Sequence, residues 1–166
     1  EVEQECGWMY ETWHPNCDDP NRVKGKINYT VWSDVFVCPN CGQEIVFWDV
    51  AVDKENGEIQ DTWNCPGCGT LMAKSPKKDS GALKTERAWV TYFDLDLKQI
   101  KRQAKRIPIL INYDVGKQRY SKKPDAIDLE LIHKIDKSEI PYPIPINQIP
   151  KGDKTSDPFN VGITHI

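Results

Sequence analysis

The chain has 166 residues, with 22 Lys and Arg against 25 Asp and Glu, 39% apolar residues and six cysteines. It is long enough to bury a core and too apolar for wholesale disorder. It has no run of 18 apolar residues and no basic start leading into an apolar stretch, which argues against a membrane span and a secretory signal.

The net charge of −3 is unevenly spread. Residues 1–73 carry 4 basic and 13 acidic side chains, 74–123 carry 14 and 5, and 124–166 carry 4 and 7. So basic a middle segment points to a polyanion-facing surface, unless the acidic and basic segments face each other in the fold.

In chain order, residues 1–25 read as a helix and a loop. Val2, Cys6, Met9 and Trp13 recur at the spacing of one helix face. Glu1 stands where a start Met would, directly before this pattern, so the expectation is a domain cut from a longer polypeptide.

Residues 26–73 contain two matched knuckles, Cys38-Pro39-Asn40-Cys41-Gly42 and Cys65-Pro66-Gly67-Cys68-Gly69. In C-x-x-C-G the two-residue gap lets both thiolates reach one ion, and Gly lets the backbone turn its amides toward sulfur. Val31–Val37 reads as a strand into the first knuckle and Ile45–Val52 as a strand out of it. Asn56-Gly57 marks a hairpin turn, and Ile59–Trp63 a strand into the second knuckle. Strand, knuckle, strand, hairpin, strand, knuckle is a zinc ribbon, with Cys38, Cys41, Cys65 and Cys68 closing a structural Zn2+ site.

The rival uses of four cysteines fit less well. A redox C-x-x-C stands singly on a βαβ unit, disulfides need an oxidising compartment, and an Fe–S cluster implies electron transfer on a chain with no other redox feature. His14-Pro15-Asn16-Cys17 has the outline of a third knuckle, and Cys6 lies close, but a second metal site there lacks a fourth ligand. Cys6 and Cys17 are expected to be free thiols in a reducing cytoplasm.

Residues 74–139 read as a basic β/α segment. A polar loop from Lys74 to Gly81 is followed by a strand over Ala88–Leu95, buried on much of both faces, and a basic run from Lys98 to Arg106. A second strand covers Ile107–Val115, with Pro108 placing its start at a sheet edge, and Asp114–Gln118 turns the chain toward Arg119 and Tyr120. Ile127, Leu131 and Ile135 mark a helix from Asp125 to Lys137, with Pro124 at its entrance, acids early and lysines late. Residues 140–166, with Pro141, Pro143, Pro145, Pro150 and Pro158, read as an extended tail. The expected fold is α+β: a zinc ribbon joined to a small, mostly antiparallel sheet with one or two helices.

Lys74, Lys77, Lys78, Lys101, Arg102, Lys105, Arg106, Lys117, Arg119, Lys122 and Lys123 fall in expected loops or strand ends, where they can gather into a phosphate-contacting surface. Trp13, Trp32, Trp48, Trp63 and Tyr120 offer stacking faces wherever they are exposed. The alternative makes each basic run a solvated loop and each Trp core. Catalytic motifs are missing: there is no glycine-rich cofactor loop, no P-loop and no Asp-Pro-Pro-aromatic motif, and Asp157-Pro158-Phe159 has no close Gly pair after it. No catalytic residue is expected in this segment.

Gly7-Trp8-Met9-Tyr10-Glu11-Thr12, and the run from Gly25 to Asp34 leading into the first knuckle, resemble the large zinc-ribbon-containing, adenine-specific DNA methylases of restriction-modification type. So do Ile109–Tyr113, Lys122-Lys123-Pro124-Asp125 and Gly162-Ile163-Thr164-His165. The resemblance implies an insert of an enzyme that transfers methyl from S-adenosylmethionine to adenine in DNA, with the cofactor and catalytic motifs outside this segment. It carries over the four cysteines alone. The expected partners are DNA and the rest of the methyltransferase chain, with no membrane. The alternative is a docking module within the enzyme or for a partner subunit.

Overall fold

The structure is a computed structural model that describes residues 2–15, 23–94 and 98–138. The chain opens with helix α1 (Val2–Cys6), a 3-10 turn (Gly7–Tyr10) and strand β1 (Glu11–Trp13). The helix expected to carry Trp13 therefore stops at Cys6. Gly7 follows directly, and a glycine weakens helix continuation.

Strand β2 (Lys24–Val37) is the spine of the molecule, extending well before the expected Val31 start. After it come β3 (Glu44–Val46), helix α2 (Phe47–Ala51), β4 (Thr62–Asn64), β5 (Leu71–Ala73), β6 (Leu83–Lys84) and β7 (Glu86–Arg87). The series ends with β8 (Trp89–Asp94), β9 (Gln99–Ala104), β10 (Arg106–Val115), β11 (Gln118–Lys122) and helix α3 (Ala126–Asp136). The fold is α+β with mostly antiparallel sheets and few helices. β5 and β6 form the one parallel pair among the described strands.

β2 is paired on both edges. β1 and β3 lie along one, while β10 and β7 follow each other along the other. Between β10 and β7, Val35 bonds to both Lys105 and Ala88, and the β8–β9 hairpin leaves the sheet through that gap. β11 pairs only from Ile111 onward, so Pro108 sits where β10 has an open edge, as its missing N–H requires. The remaining uncovered stretch is short.

Two buried clusters hang on this spine. At one end Phe36, Cys38, Ile45, Phe47, Ala51, Trp63, Cys65 and Met72 form the main core, with the rings of Phe36, Phe47 and Trp63 packed at 5.2–6.1 Å. At the other, Gly25 lies under the Tyr113 ring, and a Cβ there would collide with it and come within 3.0 Å of the Asp114 carbonyl. Here Asn28 donates to Asn112 at 3.1 Å, and Asn112 to Ser121 at 3.0 Å, tying three strands together.

Two further expectations are corrected. Ile45–Val52 is not one strand: the chain coils into α2 after Val46, because Phe47 and Ala51 are both core residues four apart, one helical turn. Ser33 Oγ accepts the Trp48 amide at 3.0 Å, satisfying a donor of the first turn. Nor is the strand over Ala88–Leu95 buried on both faces. Trp89, Tyr92 and Phe93 are exposed, since β8 pairs with β9 alone among the described strands. Leu95 and the tail from residue 140 lie outside the described residues. No described helix is long and apolar enough to cross a membrane.

Candidate metal centre

Each knuckle closes on itself in the same way. The Cys38 amide donates to Gln43 O and the Gly42 amide to Cys38 O, both at 2.9 Å. In the second, the Cys65 amide donates to Thr70 O and the Gly69 amide to Cys65 O, also at 2.9 Å. Gly42 and Gly69 take φ of 74° and 72°, a region that a side chain would strain. The repeated C-x-x-C-G is thus one backbone turn used twice.

The turns bring four sulfurs together, all within 4.8 Å of one another. Cys38 Sγ lies 3.7 Å from Cys68 Sγ, and Cys41 Sγ 3.6 Å from Cys65 Sγ. A tetrahedron with metal–sulfur bonds of about 2.3 Å has sulfur–sulfur edges of about 3.8 Å. The spacing therefore fits a metal ion, and it is far beyond the roughly 2.05 Å of a disulfide. The first cysteine of each knuckle is buried and the second exposed, so the centre caps the core cluster.

Thr70 and Asn40, which the sequence did not single out, support the sulfurs. The Thr70 hydroxyl lies 3.1 Å from Cys68 Sγ, and accepts from Asn40 Nδ2 at 3.1 Å, linking the two knuckles. The Thr70 hydroxyl, then its amide and Asn40, lower the Cys68 thiol to about 5. For Cys41 the Gln43 amide pulls downward, but desolvation and the three neighbouring thiols outweigh it and push the thiol up to about 12. A divalent cation lets all four sit as thiolates.

No second cluster forms among the described residues. His14 Nδ1 is 2.9 Å from Tyr113 Oη and its ring packs edge-on against Tyr120. Cys6 is half-buried on α1, and Cys17 lies outside the described residues.

The expected basic contacts separate into three groups. Lys122 is corrected outright. Its side chain is 5% exposed and its amine bonds Asp125 and Asp128 at 2.8 Å and Trp13 O at 3.0 Å, so it is an internal tie and not a phosphate contact. A second group faces acids of the chain: Lys77 with Asp61, Lys105 with Glu44, Arg106 with Asp34 and Arg119 with Asp114. Arg87, not foreseen, also reaches Asp34. Lys74 lies over the Phe47 ring at 3.5 Å, where burial lowers its pKa despite the opposing pull of Asp34.

The third group, Lys78, Lys101, Lys117 and Lys123, has no ion pair among the described residues, and Arg102 stacks over Trp89 at 4.6 Å. Lys101 and Arg102 stand in the middle of β9, so the idea that all the basic residues lie in loops or at strand ends does not hold, although Lys122 does close β11. Of the aromatic stacking candidates, Trp63 is core and Trp32 is exposed. Comparison with protein-family models, curated proteins and solved structures yields no match.

Proposed function

We propose that this chain is a zinc-ribbon module of a DNA adenine methyltransferase, itself non-catalytic, which contacts duplex DNA beside the catalytic part. The observation that carries the zinc assignment is the four-sulfur cluster at tetrahedral spacing. All four positions are thiolate, a donor set that suits zinc and leaves no coordination site for substrate, so the metal is structural. S-adenosylmethionine binds elsewhere in the parent enzyme, and the resemblance in the sequence supplies that part of the reading.

The cations without acidic partners on β9 and around it support the DNA contact, which would hold the duplex in register while the parent takes its target base out of the stack. A docking role is the competing reading. It is favoured by the pairing of basic 74–123 with acidic 1–73 through Lys77–Asp61, Arg87–Asp34, Lys105–Glu44 and Arg106–Asp34, which uses up cations that phosphates could have taken.

Titrating the zinc-loaded chain against labelled duplex DNA separates the two. DNA contact predicts binding whose logarithm falls linearly with log salt, with a slope near −0.9 for each phosphate neutralised. Binding that ignores salt, or none at low salt, points to docking.

A further inference from the structure

The β8–β9 hairpin stands apart from the sheets and bares apolar side chains. In its register Trp89 faces Ala104, Thr91 faces Arg102 and Phe93 faces Ile100, so these six share one face. Phe93 is 57% exposed and Ile100 74%, the latter more than any other large apolar residue described. Both lie next to the hairpin tip. Behind them, Arg102 is stacked on Trp89 and Lys101 projects from the opposite face beside Tyr92. Lys101 and Lys98 have no ion pair among the described residues.

Apolar residues beside the turn, with cations behind them that form no ion pair among the described residues although Asp94 acts on Tyr92 on the Lys101 face, match a polyanion that keeps its apolar surface recessed between charged ridges. Duplex DNA has that form. Its major groove is about 12 Å wide and admits a two-stranded ribbon, with stacked bases at the floor and phosphates at the rims. An anionic membrane also places charge above an apolar interior, but it would strip water from Thr91, Gln99 and Gln103 on the same ribbon without replacing their hydrogen bonds. Base edges replace them, since glutamine and threonine are ordinary base-edge partners.

We infer that the β8–β9 hairpin is the element that enters the DNA groove, with Phe93 and Ile100 against the bases and Lys101 and Arg102 on the phosphates. This rests on the DNA-binding reading above and narrows it from a diffuse basic surface to one hairpin.

The zinc-loaded full chain is titrated with duplex DNA carrying 2-aminopurine and, separately, with phosphatidylglycerol vesicles. Phe93→Ala/Ile100→Ala should weaken duplex binding about tenfold or more, leave the salt slope unchanged and abolish the 2-aminopurine response seen with the native chain. Lys101→Ala/Arg102→Ala should instead reduce the slope by about 2. If the tip variant binds DNA like the native chain, the hairpin assignment falls while DNA binding stands. If the native chain binds no duplex, both fall. Vesicle binding lost with the tip variant while DNA binding persists would assign the hairpin to a membrane surface. All four side chains are outside the core, and Ile100→Ala alone repeats the test should the double variant fail to fold.

Discussion

Thr70 has a single hydroxyl proton and a sulfur 3.1 Å away to receive it, while Asn40 donates to its oxygen. A ligand oriented and charged in this way binds its metal more tightly, and outer-shell partners of this kind are worth about 10- to 100-fold in affinity. Thr70→Val keeps the branched shape and removes only the hydroxyl. Zinc affinity, read by competition with a chromogenic chelator, should fall by about tenfold while the knuckle backbone persists. Unchanged affinity would mean that the hydroxyl does not serve the sulfur. The cysteines themselves were legible from spacing, since C-x-x-C-G twice over specifies a turn and a ligand pair at once. Thr70 was not, because its role depends on a contact across 30 residues, to Asn40 on the other knuckle.

Among the elements, α3 shows how a helix end can be both cap and anchor. Asp125 accepts from the Ile127 and Asp128 amides at 2.9 and 3.0 Å, and Asp128 returns a bond to the Asp125 amide at 2.9 Å. Asp128 also accepts from Thr12 at 2.5 Å and pairs with buried Lys122, which fastens the helix to β1 and β11. Removing one member strands a buried charge, so Asp128→Ala should cost about 3–5 kcal/mol in urea unfolding. Lys122→Met/Asp128→Leu should recover most of that loss. Equal losses in the single and double variants would show that the pair itself is not what matters.

The pH dependence follows from the same network. Burial pushes the Asp125 carboxyl upward, but Lys122 and the helix amides outweigh it, so its pKa is lowered. That stability is present above the unfolded value near 3.8 and is lost as pH falls through the folded value. For Lys122, burial pulls downward but Asp125 and Asp128 outweigh it, so its pKa is raised. Its contribution is present below the unfolded value near 10.5 and is lost as pH rises through the folded value. The α3 anchor is therefore firm across the middle of the pH range and weak at both ends.

The sequence located α3 because caps and a four-residue repeat are local signals. It missed α2 and the exposure of β8 for a common reason. Phe47-Trp48-Asp49-Val50-Ala51 has strand-like composition, and Trp89–Asp94 alternates like a buried strand, yet in each case the outcome depends on what packs against the segment. Composition carries no record of that.

At the scale of the whole molecule, β2 joins two buried clusters of different character. The far end is held by pairing with β10, by Tyr113 over Gly25 and by the Lys122–Asp128 tie, and it needs no metal. The knuckle end has a small core in which two of eight buried residues are cysteines of the centre. Its only buried side-chain donor without an acceptor among the described residues is Trp63 Nε1. Structural zinc supplies on the order of 10–16 kcal/mol in small fingers, against a stability of about 5–15 for a whole domain. Stripping the metal should therefore unfold one end of β2 and spare the other. By hydrogen exchange after verified metal removal at neutral pH, amides from Phe36 to Ala73 should lose protection, while those of β10, β11 and α3 keep most of theirs. Unchanged protection at the knuckles would show that their packing stands alone. Loss across the whole chain would show instead that β2 transmits unfolding from one cluster to the other.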